Sequence, residues 1–251
     1  MRMNRHRGQV LVLASLAIAL VILSTQAYVY RLSRSEVSSG YDSLSDYTLS
    51  IEQGSRHAVV ASLANVSDGG ASSSMGVILD EWEAFVAGDY SFGRCEINAS
   101  LASQPPYSDG IWLEWGVPGE GVSSAYADFT LNLSGRGAEI DWGFGLNVTT
   151  KILVNGSYSV ILGDEKEVTV DLSVLNDGSP ALAGSTTLLY FKAGEWTDAT
   201  GLGNFTATDY GTGSYRYTFI DTITEDPIQV RVQVYDLRGV FVQAEADLSS
   251  V

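Results

Sequence analysis

The hydrophobic positions along this 251-residue chain fall into three successive patterns. A continuous apolar run from Val10 to Leu23 comes first, and with the residues up to Tyr30 it reaches about 20 residues, enough for a helix to cross a hydrocarbon core of about 30 Å. Helical spacing follows to about residue 90, and apolar and polar residues then alternate along most of the chain. These patterns predict an α+β protein with a transmembrane helix and a β-rich exterior.

Charges around the first apolar run predict its direction in the membrane. Tyr28 and Tyr30 occupy the positions expected of interfacial aromatics, and basic residues dominate the side before the run whereas acidic residues soon dominate the side after it. The basic residues ahead of it are Arg2, Arg5 and Arg7; behind it, Arg31 and Arg34 are followed by Glu36, Asp42 and Asp46. We therefore expect a cytoplasmic N-terminus and an extracellular bulk of the chain at the cell surface.

Helical structure is expected to continue beyond the membrane because no proline precedes Pro105. A seven-residue spacing predicts a stalk helix to about residue 65 that ends at Asp68-Gly-Gly70. Its members are Val37, Leu44, Ile51 and Ala58, with Tyr47 and Ala61 at the intermediate positions. Hydroxyls at 72–74 and Gly88 bound a second, amphipathic helix. Its predicted apolar face is Met75, Ile78, Leu79, Trp82, Phe85 and Val86, and Asp80, Glu81 and Glu83 are polar cover.

The alternating region predicts antiparallel strands that have one wet face. Alternation is clearest in two runs, Ala125 to Leu133 and Ile140 to Val154, and it returns from about Glu165 onward. Asn155-Gly156 is a strong signal for a two-residue hairpin, although such a turn would reverse the face of the apolar residues that follow. The predicted organisation is a basic tip with the transmembrane helix (1–30), a helical stalk with the amphipathic helix (31–95), a first β region (96–163) and a β-sandwich (164–251).

Composition narrows the function. The net charge of −16 and pI near 4.3 argue against nucleic acid as a partner. Cys95 is the single cysteine, so no intramolecular disulfide forms, and we expect it to be a small buried residue. His6 and His57 lack the partners of a zinc site or a nucleophilic triad, so the sequence nominates no catalytic, metal or cofactor residues.

Six of the eight asparagines stand in Asn-x-Ser/Thr. This is the acceptor motif for N-glycosylation, and it predicts modification of several sites on an exported chain. The six are Asn65, Asn98, Asn132, Asn147, Asn155 and Asn204.

Two further groups of residues have competing interpretations. Carboxylates close in sequence could hold Ca²⁺ between strands, but turn chemistry explains them equally well; they are Asp171, Asn176 and Asp177, and Asp221, Glu225 and Asp226. Aromatic residues of the first β region could bind sugars, but we expect them in the core; they are Tyr107, Trp112, Trp115, Tyr126 and Trp142.

The junction Arg7-Gly8-Gln9 directly before the apolar run resembles the class III signal of archaeal type IV pilin-like proteins. The resemblance implies cleavage between Gly8 and Gln9, with the hydrophobic helix retained to pack against like subunits. Such signals often carry Ser and Glu where Leu11 and Leu13 stand here. A permanent signal anchor and conventional cleavage after Ala27 remain the other interpretations.

The C-terminal pattern over about residues 166–248 resembles the late strands of immunoglobulin-like modules on prokaryotic surface proteins. The resemblance is carried by Gly213-Ser-Tyr-Arg-Tyr-Thr-Phe219 and by the closing hairpin through Arg238-Gly239. It implies an immunoglobulin-like sandwich, and a fold of that kind does not specify a function.

The sequence favours a non-catalytic structural or adhesive surface protein, a pilin-like subunit anchored by its N-terminal helix. Its expected partners are the membrane, like subunits, and an extracellular protein or glycan. The alternative is a single-pass ectodomain that binds an extracellular ligand without polymerising. An envelope hydrolase is a third possibility, for which no residue spacing nominates a site.

Overall fold

The computed structural model describes residues 46–90, 93–135 and 138–251. The chain forms two compact units, Met1–Glu52 and Gln53–Val251. Of the first, the structure describes residues 46–52, which are helical, with Ser50 Oγ donating to the Asp46 carbonyl over 2.8 Å. The predicted transmembrane segment and the Gly8-Gln9 junction lie outside the described residues. Within the described ranges, no helix is both long and apolar enough to cross a membrane.

Helical structure is continuous from residue 46 to residue 67, and we call the part that belongs to the second unit, residues 53–67, α1; the next helix is α2 (Ser74–Asp89). The predicted end of the first helix is confirmed. Asp68 N–H donates to the Ala64 carbonyl, Gly70 N–H donates to the Asn65 carbonyl, and Gly69 between them has φ of +102°. Only glycine adopts that backbone conformation readily, so the Gly-Gly pair stops α1.

The predicted seven-residue spacing holds at Ile51, which is buried, but it does not hold along α1. Ala61, expected to face inward, is exposed, and Ala58 is half-buried. The buried positions recur every three to four residues, as in a helix that packs one stripe on a neighbouring layer rather than in a coiled coil. They are Ser55, Val59, Ser62, Leu63, Val66 and Ser67.

The face of α2 matches the prediction except at two residues. Met75, Leu79 and Val86 are buried, but Phe85 is 61% exposed. Glu83 is not simply polar cover, because its Oε1 accepts a hydrogen bond from the Ala99 backbone N–H over 2.5 Å. The carboxylate thus joins α2 to the strand that carries Ala99, a contact between distant parts of the chain that helix periodicity cannot reveal.

The strands of the described ranges are numbered in chain order. They are β1 Gly93–Leu101, β2 Ile111–Val117, β3 Glu120–Gly135, β4 Ala138–Leu162, β5 Glu165–Asn176, β6 Ser179–Pro180, β7 Ala183–Lys192, β8 Glu195–Asp198, β9 Thr206–Asp209, β10 Ser214–Thr222, β11 Ile228–Asp236 and β12 Phe241–Ser250, with a short 3₁₀ helix at Ala199–Gly201.

These strands form one large, strongly curled sheet, and the fold is α+β. The order along its main path is β8-β7-β11-β12-β4-β5-β10-β9, while β1 and β2 pair with β3, and β3 pairs with β4. The predicted purely antiparallel arrangement is wrong. Where the pairing of β3 with β4 ends, β12 takes its place and runs parallel to β4 at Ser249↔Ser157 and Ser250↔Tyr158. The curl of the sheet brings the end of β12 to this edge.

The main core lies inside the curl. Alternate residues of β4, β5 and β10 meet alternate residues of β7, β11 and β12 in one buried cluster. The rings of Tyr190 on β7 and Phe219 on β10 pack with centroids 4.9 Å apart. The predicted inward phase of β3, from Ala125 to Leu133, is confirmed, since its alternate residues are at most 1% exposed.

The hairpin expected at Asn155-Gly156 is wrong. β4 runs through both residues, and the reversal comes at Gly163, where φ is +61°. A Cβ at Gly156 would overlap the Thr169 carbonyl oxygen and lie 3.1 Å from Leu248 Cδ2. The glycine therefore permits the close approach of neighbouring strands, which also leaves the buried phase of β4 unbroken.

Candidate functional site

Four of the predicted glycosylation sites project from one face of the sheet. Asn98 on β1 pairs with Thr130 on β3, and Asn132 stands two residues farther along β3. Paired residues and residues two apart along a strand share a face. Asn132 pairs with Asp141 on β4, and Asn147 and Asn155 lie an even number of residues beyond Asp141, so they share the same face. This face is turned away from the core, and all four asparagines are exposed.

The other two predicted sites lie outside this group. Asn65 is exposed in the last turn of α1. Asn204 is exposed in the loop before β9, but its amide is engaged with the edge of β10. Its Nδ2 donates to the Ile220 carbonyl over 2.7 Å, and its Oδ1 accepts from the Ile220 N–H over 3.3 Å. Asn204 therefore acts as a side-chain extension of the sheet.

Asn147 has the most developed surroundings of the six. Its Oδ1 accepts hydrogen bonds from Ser124 Oγ at 3.1 Å, Thr149 Oγ1 at 3.2 Å and Tyr107 Oη at 3.4 Å. No described residue accepts a hydrogen bond from its Nδ2. The carbonyl end of the amide is thus held by hydroxyl groups while the nitrogen, which would carry a glycan, is left available.

The hydroxyl groups around Asn147 also bond to one another. Ser124 is fully buried, and its Oγ lies 2.8 Å from Thr149 Oγ1 and 3.1 Å from Tyr107 Oη. Ser124 was not among the residues predicted from the sequence to have a function. Its position in the alternating pattern could have identified it. Ser124 is two residues from Tyr126 on β3, so both side chains lie on the outer face of that strand.

The aromatic residues of the first β region are not buried as the prediction expected, although Trp115 packs against the main core. Tyr107, Trp112, Trp115, Tyr126 and Trp142 are all only partly buried. Tyr107 contacts Trp112 edge to face at 6.1 Å and Tyr126 at 5.9 Å between ring centroids. Because Trp112 pairs with Ser124, these three rings share the face that carries Asn147. We call Tyr107, Trp112 and Tyr126 the aromatic patch.

Asn147 also lines an open groove of about 350 Å³. Two of its lining residues belong to the Asn147 sequon, and the others offer a cation, a carboxylate and a short apolar surface. The lining is Asn147, Thr149, Lys151, Leu175, Asp177 and Gly178. Lys151 pairs with Glu120 over 2.7 Å, and Asp177 Oδ1 accepts from the Thr149 N–H over 2.8 Å. The groove walls are thereby held in place.

The carboxylates considered for Ca²⁺ have protein partners. Asp171 forms two hydrogen bonds with Arg216, and Asp226 accepts from Tyr158 Oη over 2.8 Å. The Asp171 carboxylate raises the pKa of Arg216. Asp177 is engaged by Arg56 and Arg238. Among the described residues, no group of three or more His, Cys, Asp or Glu side chains is arranged to hold a metal ion.

Asp221 is the most strongly engaged member of the second acidic group. Its Oδ2 accepts from Lys192 Nζ at 2.5 Å and from Tyr190 Oη at 2.6 Å. Burial acts to raise the pKa of Asp221, but the hydrogen bonds from Lys192 and Tyr190 outweigh it and hold that pKa below its usual value. Burial and the same carboxylate raise the pKa of Tyr190.

A buried carboxylate organises the loop between β11 and β12. The side chain of Asp236 is fully buried. Its Oδ1 accepts hydrogen bonds from the backbone N–H groups of Arg238 and Val240. Its Oδ2 accepts hydrogen bonds from Arg238 Nε and Thr150 Oγ1. Arg238 also reaches Asp177 at 3.2 Å. The predicted closing hairpin through Arg238-Gly239 is confirmed, and the Asp236 carboxylate stabilises its turn.

The isolated reactive residues are not gathered into a site. Cys95 is buried on β1 as expected, and burial raises the pKa of its thiol. His57 is exposed on α1, and His6 lies outside the described residues. In the described part of the chain, the asparagine face with its aromatic patch and groove is therefore the most developed candidate site. No model of a known protein family matches this chain, and no curated protein is significantly similar to it.

Proposed function

We propose that this chain is a non-catalytic structural or adhesive protein of the cell surface, a pilin-like subunit anchored by its N-terminal helix. The observation that carries the proposal is the way α1 is fastened along the β exterior. Type IV pilins, which the Arg7-Gly8-Gln9 junction resembles, have a long first helix whose second half packs on a β head. A helix docked in that manner supports the same organisation here.

The fastening of α1 involves polar contacts spread along its length. Arg56 pairs with Asp177 at the β5–β6 turn over 2.5 Å. At the end of α1, Ser67 Oγ accepts from the Phe241 N–H over 3.0 Å, and Asp68 accepts from Tyr235 Oη over 2.6 Å. Since these partners are distant in sequence, α1 is integrated into the β exterior and does not behave as a free stalk.

An immunoglobulin-like character of the C-terminal region is part of the proposal. Two groups of strands, β4-β5-β10 and β7-β11-β12, face each other across one apolar core, as sheets do in a sandwich. Supporting the extracellular location, the predicted glycosylation sites are exposed and the chain carries a net charge of −16. Both features suit a surface in contact with water.

The mature N-terminus tests the pilin-like function. We expect protein isolated from native membranes to begin at Gln9 and to form higher oligomers or filaments. The variant Gly8→Val, which places a branched side chain next to the scissile bond, should retain the full leader. A mature chain that begins at Tyr28 would exclude the proposal, since the hydrophobic helix would then be lost.

The second candidate is a single-pass ectodomain that binds an extracellular protein or glycan without polymerising. The partly exposed aromatic patch beside an open groove favours it, because saccharides stack on exposed rings. This function predicts an uncleaved N-terminus at Met1 and a monomer in detergent. Filaments would contradict it.

A further inference from the structure

We propose that the Asn147 site holds the first saccharide of its own N-linked glycan against the ring of Tyr126. The glycan would then be a packed component of the folded exterior. The proposal rests on the surface location given under the proposed function, because only an exported chain meets the glycosylation machinery.

The position of Tyr126 is set by strand register. Tyr126 on β3 lies directly opposite Asn147 on β4. Side chains directly opposite each other in an antiparallel pair have Cβ atoms about 4.5–5.5 Å apart. Tyr126 leans along β4 over Gly145, where an added Cβ would lie 2.8 Å from Tyr126 Oη. The ring therefore extends from the position opposite Asn147 toward Gly145, where no side chain blocks it.

The orientation of that ring is fixed at its far end. Tyr126 Oη donates to Asp128 Oδ1 over 2.8 Å, and this hydrogen bond raises the pKa of the tyrosine. Tyr107 packs on the ring at a centroid distance of 5.9 Å. A half-exposed ring held in this way offers an apolar face at little cost in side-chain entropy, which suits the C–H face of a pyranose.

The amide of Asn147 is oriented for attachment. Hydrogen bonds from Ser124, Thr149 and Tyr107 hold its carbonyl oxygen, and Nδ2 has no described acceptor. A saccharide attached to Nδ2 would start from a residue that lies opposite Tyr126 and also lines the groove. With about 350 Å³, the groove falls in the range of about 300–1,000 Å³ typical of small-molecule sites. Lys151 and Asp177 there can bond to sugar hydroxyls.

Asn98 is the matched control because it lies on the same face without an aromatic residue directly opposite it. Its cross-strand partner is Thr130, and Glu96 and Ser100 flank it along its own face of β1. A glycan on Asn98 would likewise start from an exposed asparagine but would have no ring directly opposite it.

The test is a comparison of thermal midpoints for the full-length chain made in its glycosylating host and in a bacterial host that adds no N-glycan. In the unglycosylated chain, the change in thermal midpoint caused by Asn147→Gln measures the loss of the hydrogen bonds that Asn147 Oδ1 accepts. We expect the same substitution in the glycosylated chain to lower the thermal midpoint by about 2–4 °C more than it does in the unglycosylated chain. Asn98→Gln should show no such difference between the two hosts.

Tyr126 variants identify the ring as the partner of the glycan. In a Tyr126→Ala background the additional loss at Asn147 should disappear, whereas Tyr126→Phe, which keeps the ring, should preserve it. Circular dichroism establishes that each variant is folded. Equal losses in both hosts, an equal effect at Asn98, or a loss that persists in Tyr126→Ala would overturn the proposal.

Peptide mass spectrometry of the native protein shows directly whether Asn147 carries a glycan. An unmodified Asn147 would overturn the proposal, and binding of a free saccharide by the unglycosylated chain with Asn147 unmodified would assign the patch to a ligand in trans. The mature N-terminus, read from the same sample, tests the pilin-like function separately. A start at Tyr28 with a packed Asn147 glycan would reject that function and retain this inference.

Discussion

The indole of Trp82 on α2 occupies the space that a side chain at Gly54 on α1 would need. A Cβ added to Gly54 would overlap the six-membered ring of Trp82. The indole Nε1 donates to Ser55 Oγ over 2.9 Å, and Ser55 is fully buried. A glycine that weakens the helical pattern of the sequence is thus the position at which the two helices meet.

Gly54→Ala is expected to destabilise the protein although alanine favours helices. Displacing a large ring in a packed interface costs about 1–3 kcal/mol, which exceeds the gain in helix propensity of about 1 kcal/mol. The control is Gly88→Ala on α2, where no atom lies within 4 Å of the added Cβ. Because Gly88 lies in the last turn of α2, this change should raise the free energy of unfolding by at most about 0.5–1 kcal/mol. Urea denaturation measures both, and a stabilising Gly54→Ala would contradict the packing.

Asp236→Ala should be among the most destabilising single substitutions. It leaves the partly buried Arg238 without its main partner and removes the acceptor for two loop N–H groups. Breaking a buried ion pair in this way costs about 3–5 kcal/mol. Asp171→Ala breaks the exposed pair with Arg216 and should cost at most about 1 kcal/mol. Equal losses of unfolding free energy in the two variants would refute the distinction.

Asp221 should contribute to acid sensitivity. Because its folded-state pKa is lowered, its contribution to stability is present above the ordinary value of 3.8 and is lost as the pH falls through the folded-state pKa. We expect Asp221→Asn to lower stability at neutral pH and to flatten the decline below about pH 4. Unfolding free energy measured from pH 7 to pH 2.5 tests this. Asp80→Asn, at an exposed position of α2, controls for the loss of one charge.

Asn204 should carry less glycan than the asparagines of the outer face. Its Nδ2 is engaged with the Ile220 carbonyl, and attachment to the folded protein would disturb that contact. Quantitative glycopeptide mass spectrometry should therefore show lower occupancy at Asn204 than at Asn98, which is also exposed. Equal occupancy would mean that modification precedes the pairing of the Asn204 loop with β10.

The sequence predicted helices and strands well where a local property of the backbone determines the structure. The alternation from Ala125 to Leu133 identified a strand and its buried phase, because the period of two is a property of the extended backbone itself. The stop at Asp68-Gly-Gly70 was predictable for the same reason, since positive φ is a local preference of glycine.

Predictions were wrong where contacts with a segment distant in sequence determine the structural environment of a residue. Asn155-Gly156 has the local chemistry of a hairpin, but Leu248 of β12 and the neighbouring β5 backbone require the glycine for close approach. Likewise Phe85 has the spacing of a buried residue on α2 and is exposed, because periodicity does not state how wide a stripe the neighbouring layer covers.

The candidate site shows the same division. The sequence by itself determined that six asparagines carry the acceptor motif and that Asn132 and Asn147 lie on the polar phase of their strands, since both follow from short-range spacing. Only the tertiary structure decided that four of them share one face and that Asn147 lies opposite Tyr126 and beside Ser124. Strand register and sheet curl arise from contacts between segments far apart in the chain, and these leave no mark in the local pattern.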